Sequence, residues 1–112
     1  MKSEMPGSLG EFETLVLIAL ARQGSDAYGV SICSDIAERT GRDVSLGAVY
    51  KTLERLETKG LLRSWVGEPT AQRGGRRRKF YALRPAGETA LRQAYRAFTA
   101  MAGGFEARLE VK

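Results

Sequence analysis

The chain has 112 residues, with 18 lysines and arginines against 13 aspartates and glutamates, no histidine, one cysteine and a formal charge of +5. A chain of this length forms one domain with a modest core, and its single thiol cannot make an internal disulfide. Without histidine, the Ser-His-Asp and Cys-His catalytic arrangements and the usual zinc sites are excluded, so we expect no enzyme activity, no metal site and no cofactor.

Residues 1–8, which include Pro6, Gly7 and Ser8, are predicted to form a flexible leader. They lack the apolar stretch of a signal peptide, and no part of the sequence has the roughly 20 consecutive apolar residues that span a bilayer. We therefore expect a cytoplasmic protein with no membrane segment.

The segment LGEFETLVLIALAR, which starts at Leu9, is predicted to form the first helix. Its apolar residues recur at helical spacing, and Glu11 and Glu13 lie at its start, where the helix dipole favours anions. Residues 15–21 are apolar almost all round, so periodicity alone would also allow a strand. A helix of this kind must bury more than one face, which suggests a partner surface beyond its own domain.

Two further helices are predicted downstream. Gly24-Ser25-Asp26 ends the first helix and caps a second one, which extends from Ala27 to about Thr40 and ends at Gly41. Its inner stripe comprises Tyr28, Ile32, Cys33, Ile36 and Ala37, so Cys33 is expected to be a small buried apolar residue.

The third helix is capped by Ser45 and ends at Gly60, with Val49, Leu53 and Leu56 pointing inward. Off that stripe lie Gly47, Ala48, Tyr50, Lys51 and Arg55. The small residues near its start would let this helix approach another surface closely.

After Gly60, the strand-like runs Leu61–Val66 and Lys79–Leu83 and the turn-rich loop between them predict a β-hairpin with a long tip. Trp65 is expected to pack against the helices.

Residues 71–84 hold six cations and no acid, whereas the rest of the chain holds 12 cations and 13 acids. A cationic loop that is ordered by a strand favours a polyanion partner, nucleic acid first, although a merely solvated surface is the alternative.

Pro85 begins the last helix, which is predicted to continue to about Leu109. Its apolar residues are spaced 4, 3, 4, 3, 4, as in a heptad seam: Leu91, Tyr95, Phe98, Ala102, Phe105 and Leu109. A helix of about 25 residues is about 37 Å long and would project past so small a domain. Since an exposed seam favours a second copy, we predict dimerisation rather than packing on the chain's own core, with Gly103 and Gly104 weakening the seam.

The order of these elements is that of a winged helix-turn-helix. The predicted fold class is mainly α with a small β-hairpin, comprising a winged helix-turn-helix domain over residues 9–84 and a long C-terminal dimerisation helix over residues 85–112. A major groove about 12 Å wide admits one helix. The cationic loop beside that helix, the wing, can hold phosphates or enter the neighbouring minor groove.

Three blocks of the sequence also carry a family resemblance. They are Ala27-Tyr28-Gly29-Val30; Ser45-Leu46-Gly47-Ala48-Val49-Tyr50 with Leu53-Glu54-Arg55-Leu56-Glu57 and Lys59-Gly60-Leu61; and Arg73-Gly74-Gly75-Arg76 with Phe80-Tyr81-Ala82-Leu83 and Gly87. Over roughly Leu9 to Phe98, the chain resembles the PadR-like transcriptional regulators, in the short branch with a single C-terminal helix. The resemblance implies a bacterial homodimer that represses transcription. Some members release DNA when a small, often aromatic, compound binds near the interface between the first and last helices.

Carried over residue by residue, the resemblance implies DNA-binding residues on a reading helix and on the wing, whereas the residues of the dimer interface follow from the heptad seam together with Leu15 of the first helix. The DNA-reading helix contributes Ser45, Gly47, Ala48, Tyr50 and Lys51, and the wing contributes Arg73, Gly74, Gly75, Arg76, Arg77, Arg78 and Lys79. The dimer interface comprises Leu15, Leu91, Tyr95, Phe98, Ala102, Phe105 and Leu109. Phe12, Tyr95 and Phe98 would line an effector pocket, or else serve as interface core. Two departures are Leu46, where many members have proline, and Arg84, where a threonine or serine commonly caps the last helix.

Together these features predict a sequence-specific regulator that binds double-stranded DNA, acting as a repressor and homodimer on a palindromic operator. Lys51 is expected to contact a base or a phosphate, and Tyr50 to donate a hydrogen bond to a phosphate. The alternative is a winged-helix protein-interaction module whose basic wing binds an acidic protein.

Overall fold

The computed structural model describes residues 9–68 and 77–109; the leader predicted over residues 1–8 lies outside them. In chain order the elements are α1 (Glu11–Gln23), a 3-10 turn (Gly24–Asp26), β1 (Ala27–Tyr28), α2 (Gly29–Thr40), α3 (Leu46–Thr58), β2 (Leu62–Val66), β3 (Lys79–Leu83), α4 (Pro85–Ala102) and α5 (Glu106–Leu109). The strands form one antiparallel sheet in the order β1-β3-β2. The fold is therefore mainly helical with a small sheet, as predicted. No helix in these described segments is long and apolar enough to cross a membrane.

The sheet has a third strand that the sequence did not predict. Ala27 and Tyr28, assigned above to the second helix, pair instead with Tyr81 and Phe80 of β3. Tyr28 has an extended backbone, with φ of −141°, and its N–H donates to the Ser31 hydroxyl at 3.0 Å. A serine hydroxyl that accepts this N–H near the start of a helix fixes the first turn. The prediction that the second helix begins at Ala27 is therefore wrong, and α2 begins at Gly29.

The core lies where α1, α2, α3 and the sheet meet. Its largest fully buried side chains are Leu17, Leu20, Ile32, Leu53, Leu56, Leu62, Val16 and Val49. Because α1 packs against α2, α3, α4 and β3, its nearly continuous apolar surface is mostly covered by the chain's own elements. Cys33 is half-buried against this core, as expected, and its thiol lies 3.4 Å from the Val44 carbonyl oxygen.

An ion cluster around the buried carboxylate of Glu13 holds the start of α1 against the second half of α3. The Glu13 carboxylate accepts from the Gly10 N–H at 2.9 Å, from Lys59 Nζ at 3.0 Å and from Arg55 Nε at 3.3 Å. Burial alone would raise the pKa of Glu13, but the Gly10 hydrogen bond and the two cations outweigh it and hold this pKa below its ordinary value. The charged form of Glu13 therefore stabilises the α1–α3 contact.

Helix α4 begins close against the α3–β2 connection and ends earlier than predicted. A Cβ on the buried Gly87 would lie 2.0 Å from the Leu61 carbonyl oxygen, so only glycine allows this approach. At the other end α4 stops at Ala102, and Gly104 adopts a left-handed φ of 88° before the four-residue α5. Two adjacent glycines favour a helix break by about 1 kcal/mol each relative to alanine. The prediction of one helix to Leu109 is therefore wrong.

Replacing Glu13 by glutamine should destabilise the protein by about 1–2 kcal/mol at pH 7, because Arg55 and Lys59 lose a charged acceptor. The folded pKa of Glu13 is below its unfolded value, so its contribution is present above about pH 4.3 and is lost as the pH falls through the folded pKa. Urea denaturation at pH 7, 5 and 3 should therefore show a wild-type advantage that shrinks toward pH 3.

The matched control for this variant is Glu11→Gln on the same helix. Glu11 pairs with Arg42 at 2.7 Å, but the Glu11 side chain is 74% exposed. Exposed ion pairs contribute little, so this variant should stay close to wild type at every pH. An equal loss of stability in both variants would contradict the role assigned to the Glu13 cluster.

Candidate nucleic-acid interface

The start of α3 presents small and polar residues to solvent. The Ser45 hydroxyl accepts from the Ala48 N–H at 3.1 Å, so the predicted cap forms even though the next residue is Leu46. The exposed residues there include the predicted set of Ser45, Gly47, Ala48, Tyr50 and Lys51 together with Leu46, while Val49, Thr52, Leu53 and Leu56 are buried. No atom lies within 4 Å of a Cβ built on Gly47, so this end of α3 is open to a large partner.

Tyr50 rests on the first residue of α2. A Cβ on Gly29 would lie 2.4–2.5 Å from the Cζ, Cε1 and hydroxyl oxygen of Tyr50, so any larger residue at position 29 must displace the tyrosine ring. Gly29 thus allows a close contact between α2 and the Tyr50 ring of α3. The sequence contained a signal for this contact, a glycine at the start of a helix, but its partner could not be identified from the sequence.

The base of the wing is built by the pairing of β2 with β3, from Leu62 opposite Leu83 to Val66 opposite Lys79. The Gly67 N–H donates to the Arg78 carbonyl oxygen at 2.8 Å, which continues the pairing by one step. Arg77, Arg78 and Lys79 are exposed. The wing residues predicted at positions 73–76 (Arg73, Gly74, Gly75 and Arg76) lie outside the described residues.

An aromatic row, which consists of Tyr28, Phe80 and Trp65, crosses the outer face of the sheet. Trp65 stacks on Phe80 with ring centroids 5.9 Å apart, and Phe80 meets Tyr28 edge to face at 6.1 Å. The alternation along β2 turns Leu62 toward the core and Trp65 away from it. Trp65 therefore does not pack against the helices, contrary to expectation.

Each end of the aromatic row carries an arginine. The guanidinium carbon of Arg78 lies 4.0 Å from the centre of the Tyr28 ring, and that of Arg63 lies 4.5 Å from the centre of the Trp65 ring. Lys79, on the opposite face of β3, lies 5.9 Å from the Tyr81 ring. The neighbouring residues Tyr28 and Gly29 thus touch both halves of the candidate interface, the wing through Arg78 and α3 through Tyr50.

The residues predicted for a dimer interface and an effector pocket fall into two groups. Phe12, Leu15 and Leu91 are half-buried against the chain's own core. By contrast, Tyr95, Phe98, Phe105 and Leu109 are exposed, and Ala102 is half-buried. On α1 and α4, two further large exposed apolar residues, Ile18 and Met101, were not predicted. The largest exposed fractions are those of Phe98 (73%) and Met101 (82%).

Among the residues of the described segments, no group of three or more Asp, Glu or Cys side chains is arranged to hold a metal ion. The exposed residues described above lie in three surface regions: the start of α3, the base of the wing and one face of α4. The first two meet at the β1–α2 junction and combine small, hydrogen-bonding and cationic side chains. This combination is suited to a polyanion with a groove.

Comparisons with known proteins point the same way. A family model described as the transcriptional regulator PadR-like family matches residues 16–93. A crystal structure of a PadR family transcription regulator from Clostridium difficile R20291 is 28% identical, with 86% of this chain and 98% of that chain covered and a TM-score of 0.67. A PadR family transcriptional regulator from Eggerthella lenta is 27% identical, with 91% and 88% covered and a TM-score of 0.66.

A more distant structure concerns the regulation of DNA binding of Bordetella bronchiseptica BpsR by 6-hydroxynicotinic acid. It is 21% identical, with 92% of this chain and 72% of that chain covered and a TM-score of 0.62, and so shows a shared fold only. A search of curated proteins gave no match.

Proposed function

The chain belongs to the PadR-like family of transcriptional regulators, and we propose that it is a repressor that binds a palindromic operator as a homodimer. The family is not enzymatic in general, and membership makes the protein a DNA-binding transcription regulator. The observation that carries the DNA-binding part of the proposal is the β1–α2 junction, where Gly29 contacts Tyr50 of α3 and Tyr28 contacts Arg78 of the wing; the homodimer is argued from the exposed face of α4.

The mechanism divides DNA recognition between the two halves of the interface. The start of α3 enters the major groove, where Gly47 and Ala48 allow close approach, Lys51 reaches a base edge or a phosphate and Tyr50 donates to a phosphate. The wing cations contact phosphates beside the neighbouring minor groove. In this arrangement α3 selects the sequence, and the wing supplies affinity that does not depend on sequence.

The homodimer in this proposal forms through the exposed apolar face of α4. Tyr95 and Phe98 are 68% and 73% exposed within one chain, and large exposed aromatic side chains in one patch are typical of protein interfaces. A second copy with the same face would cover them around a two-fold axis. The dimer would place two α3 helices on one side of the DNA about 34 Å apart, which requires a palindromic site.

A small aromatic effector is a further element of this proposal. Tyr95 and Phe98 would line its pocket between protomers, and Phe12, which is half-buried against the core, would have to face the pocket from α1. Such a compound would release DNA if it favoured a dimer in which the two α3 helices no longer match the operator.

Selection of bound sequences from a random duplex pool tests the proposed function. We expect enrichment of a palindrome with half-site centres about 10 base pairs apart. If the dimer neutralises about 8 phosphates, a plot of the logarithm of the binding constant against the logarithm of the salt concentration should have a slope of about −7. The selected duplex should resist competition by heparin. If no sequence is enriched and heparin competes as well as DNA, the acidic-protein alternative replaces the operator proposal.

The Gly29→Ala variant should weaken binding to the selected duplex by about tenfold, because the added methyl group displaces the Tyr50 ring. Its stability should change by less than about 1 kcal/mol, since the exposed end of the ring can move aside and alanine favours a helix. Binding is measured by fluorescence anisotropy and stability by urea denaturation.

The control for Gly29→Ala is the same substitution in a Tyr50→Ala background. There the added methyl group meets no ring, so it should leave affinity within about twofold of the Tyr50→Ala variant. A tenfold loss in that background would mean that Gly29 acts on DNA binding without Tyr50.

The Phe98→Glu variant should weaken self-association by at least about 100-fold, because a dimer would bury the new carboxylate in an apolar interface. Sedimentation equilibrium should then give the 12.3 kDa monomer. Gln93→Glu, on the polar face of the same helix, should remain dimeric. Wild-type protein that sediments as a monomer, or a dimer unaffected by Phe98→Glu, would contradict the α4 interface.

A further inference from the structure

Arg78 is held more firmly than exposed arginines usually are. Its carbonyl oxygen accepts the Gly67 N–H at 2.8 Å, and its guanidinium carbon Cζ lies over the Tyr28 ring, 4.0 Å from the ring centre. A guanidinium that is attracted to a ring face keeps its N–H donors available at its edge. Both the backbone and the charged end of this wing residue are therefore positioned by the sheet.

The Tyr28 ring is fixed in turn by its neighbours in the aromatic row. Tyr28 lies opposite Phe80 in the β1–β3 register, and their rings meet edge to face at 80°. Phe80 is confined on its other side by Trp65, stacked at 5.9 Å. The backbone of Gly67 also lies close to this ring, since a Cβ on Gly67 would be 2.6 Å from Phe80 Cε2. The row thus extends through all three strands to the base of the wing.

Tyr28 is also the residue before Gly29. The Tyr50 ring of α3 packs directly against the backbone of Gly29. One short segment therefore sets the place of a wing cation and of a hydroxyl on the reading helix. Both groups belong to the surface to which the proposed function assigns the DNA.

We propose that Tyr28 is a positioning residue for DNA binding, whose ring holds the Arg78 guanidinium ready to contact a phosphate beside the groove that α3 enters. This inference rests on the proposed function. Tyr28 itself need not touch DNA. It acts by ordering Arg78 before DNA arrives, so that less rotamer freedom is lost when the phosphate contact forms.

A double-mutant cycle on Tyr28 and Arg78 tests this role in the full chain. Tyr28→Leu should weaken binding to the selected duplex about fivefold to tenfold, whereas Tyr28→Phe, which keeps the ring, should stay within about twofold of wild type. In an Arg78→Ala background, Tyr28→Leu should change affinity by less than about twofold. An undiminished loss in that background would overturn the proposal, because Tyr28 would then act without Arg78.

Arg78→Lys provides a second test that leaves the sheet intact. Lysine keeps the charge but lacks the planar guanidinium, so binding should weaken about threefold to fivefold. Binding equal to that of wild type would overturn the proposal. This variant covers the case in which Tyr28→Leu does not fold, which thermal denaturation will reveal.

A measurement without DNA separates this inference from the proposed function. Nuclear magnetic resonance relaxation of the Arg78 Nε–H group should show a restrained side chain in wild type and in Tyr28→Phe, and a mobile one in Tyr28→Leu. A mobile Arg78 side chain in wild type would overturn the positioning role. If the side chain is restrained but no duplex is bound, the proposed function fails while the Tyr28–Arg78 contact stands.

Discussion

The candidate interface depends on the two-residue junction at which β1 gives way to α2. Tyr28 must be extended to pair with Phe80, and Gly29 begins α2 without a side chain, which leaves space for the Tyr50 ring in its observed position. The Ser31 hydroxyl stabilises the change from strand to helix by accepting a hydrogen bond from the Tyr28 N–H. If the helix continued back to Ala27, Tyr28 would lose its place beside β3, and the wing and α3 would no longer be joined through adjacent residues.

Much of the fold could be predicted from local patterns, and the two failures, β1 and the end of α4, have different physical causes. Apolar spacing located the helices, Ser45 identified the α3 cap, and the bounds of β3 were predicted correctly. A strand of two residues has no periodicity of its own, so β1 is specified by pairing with β3, far along the chain. For α4 the heptad pattern continues past Ala102, but the backbone preference of Gly103 and Gly104 prevails over it.

The charge of the wing was readable from the sequence, whereas the geometry of its cations was not. A run of arginines indicates the sign of a partner, and it does not distinguish a side chain held on a ring from one free in water. Arg78 differs from Arg77 because alternation along the chain brings it to the face of the sheet that carries Phe80 and Tyr28. That distinction needs the register of all three strands. The roles of these residues toward DNA stay predictions.

The early end of α4 affects how a dimer would set operator geometry. The large exposed apolar residues of the helix are Tyr95, Phe98 and Met101, all in its second half, so a two-fold interface there would extend over about two turns. Helix α1 packs between α4 and α3, and the Glu13 cluster fixes α1 to the second half of α3. In a dimer formed through this part of α4, the half-site spacing would therefore depend on how α4, α1 and α3 pack within each protomer.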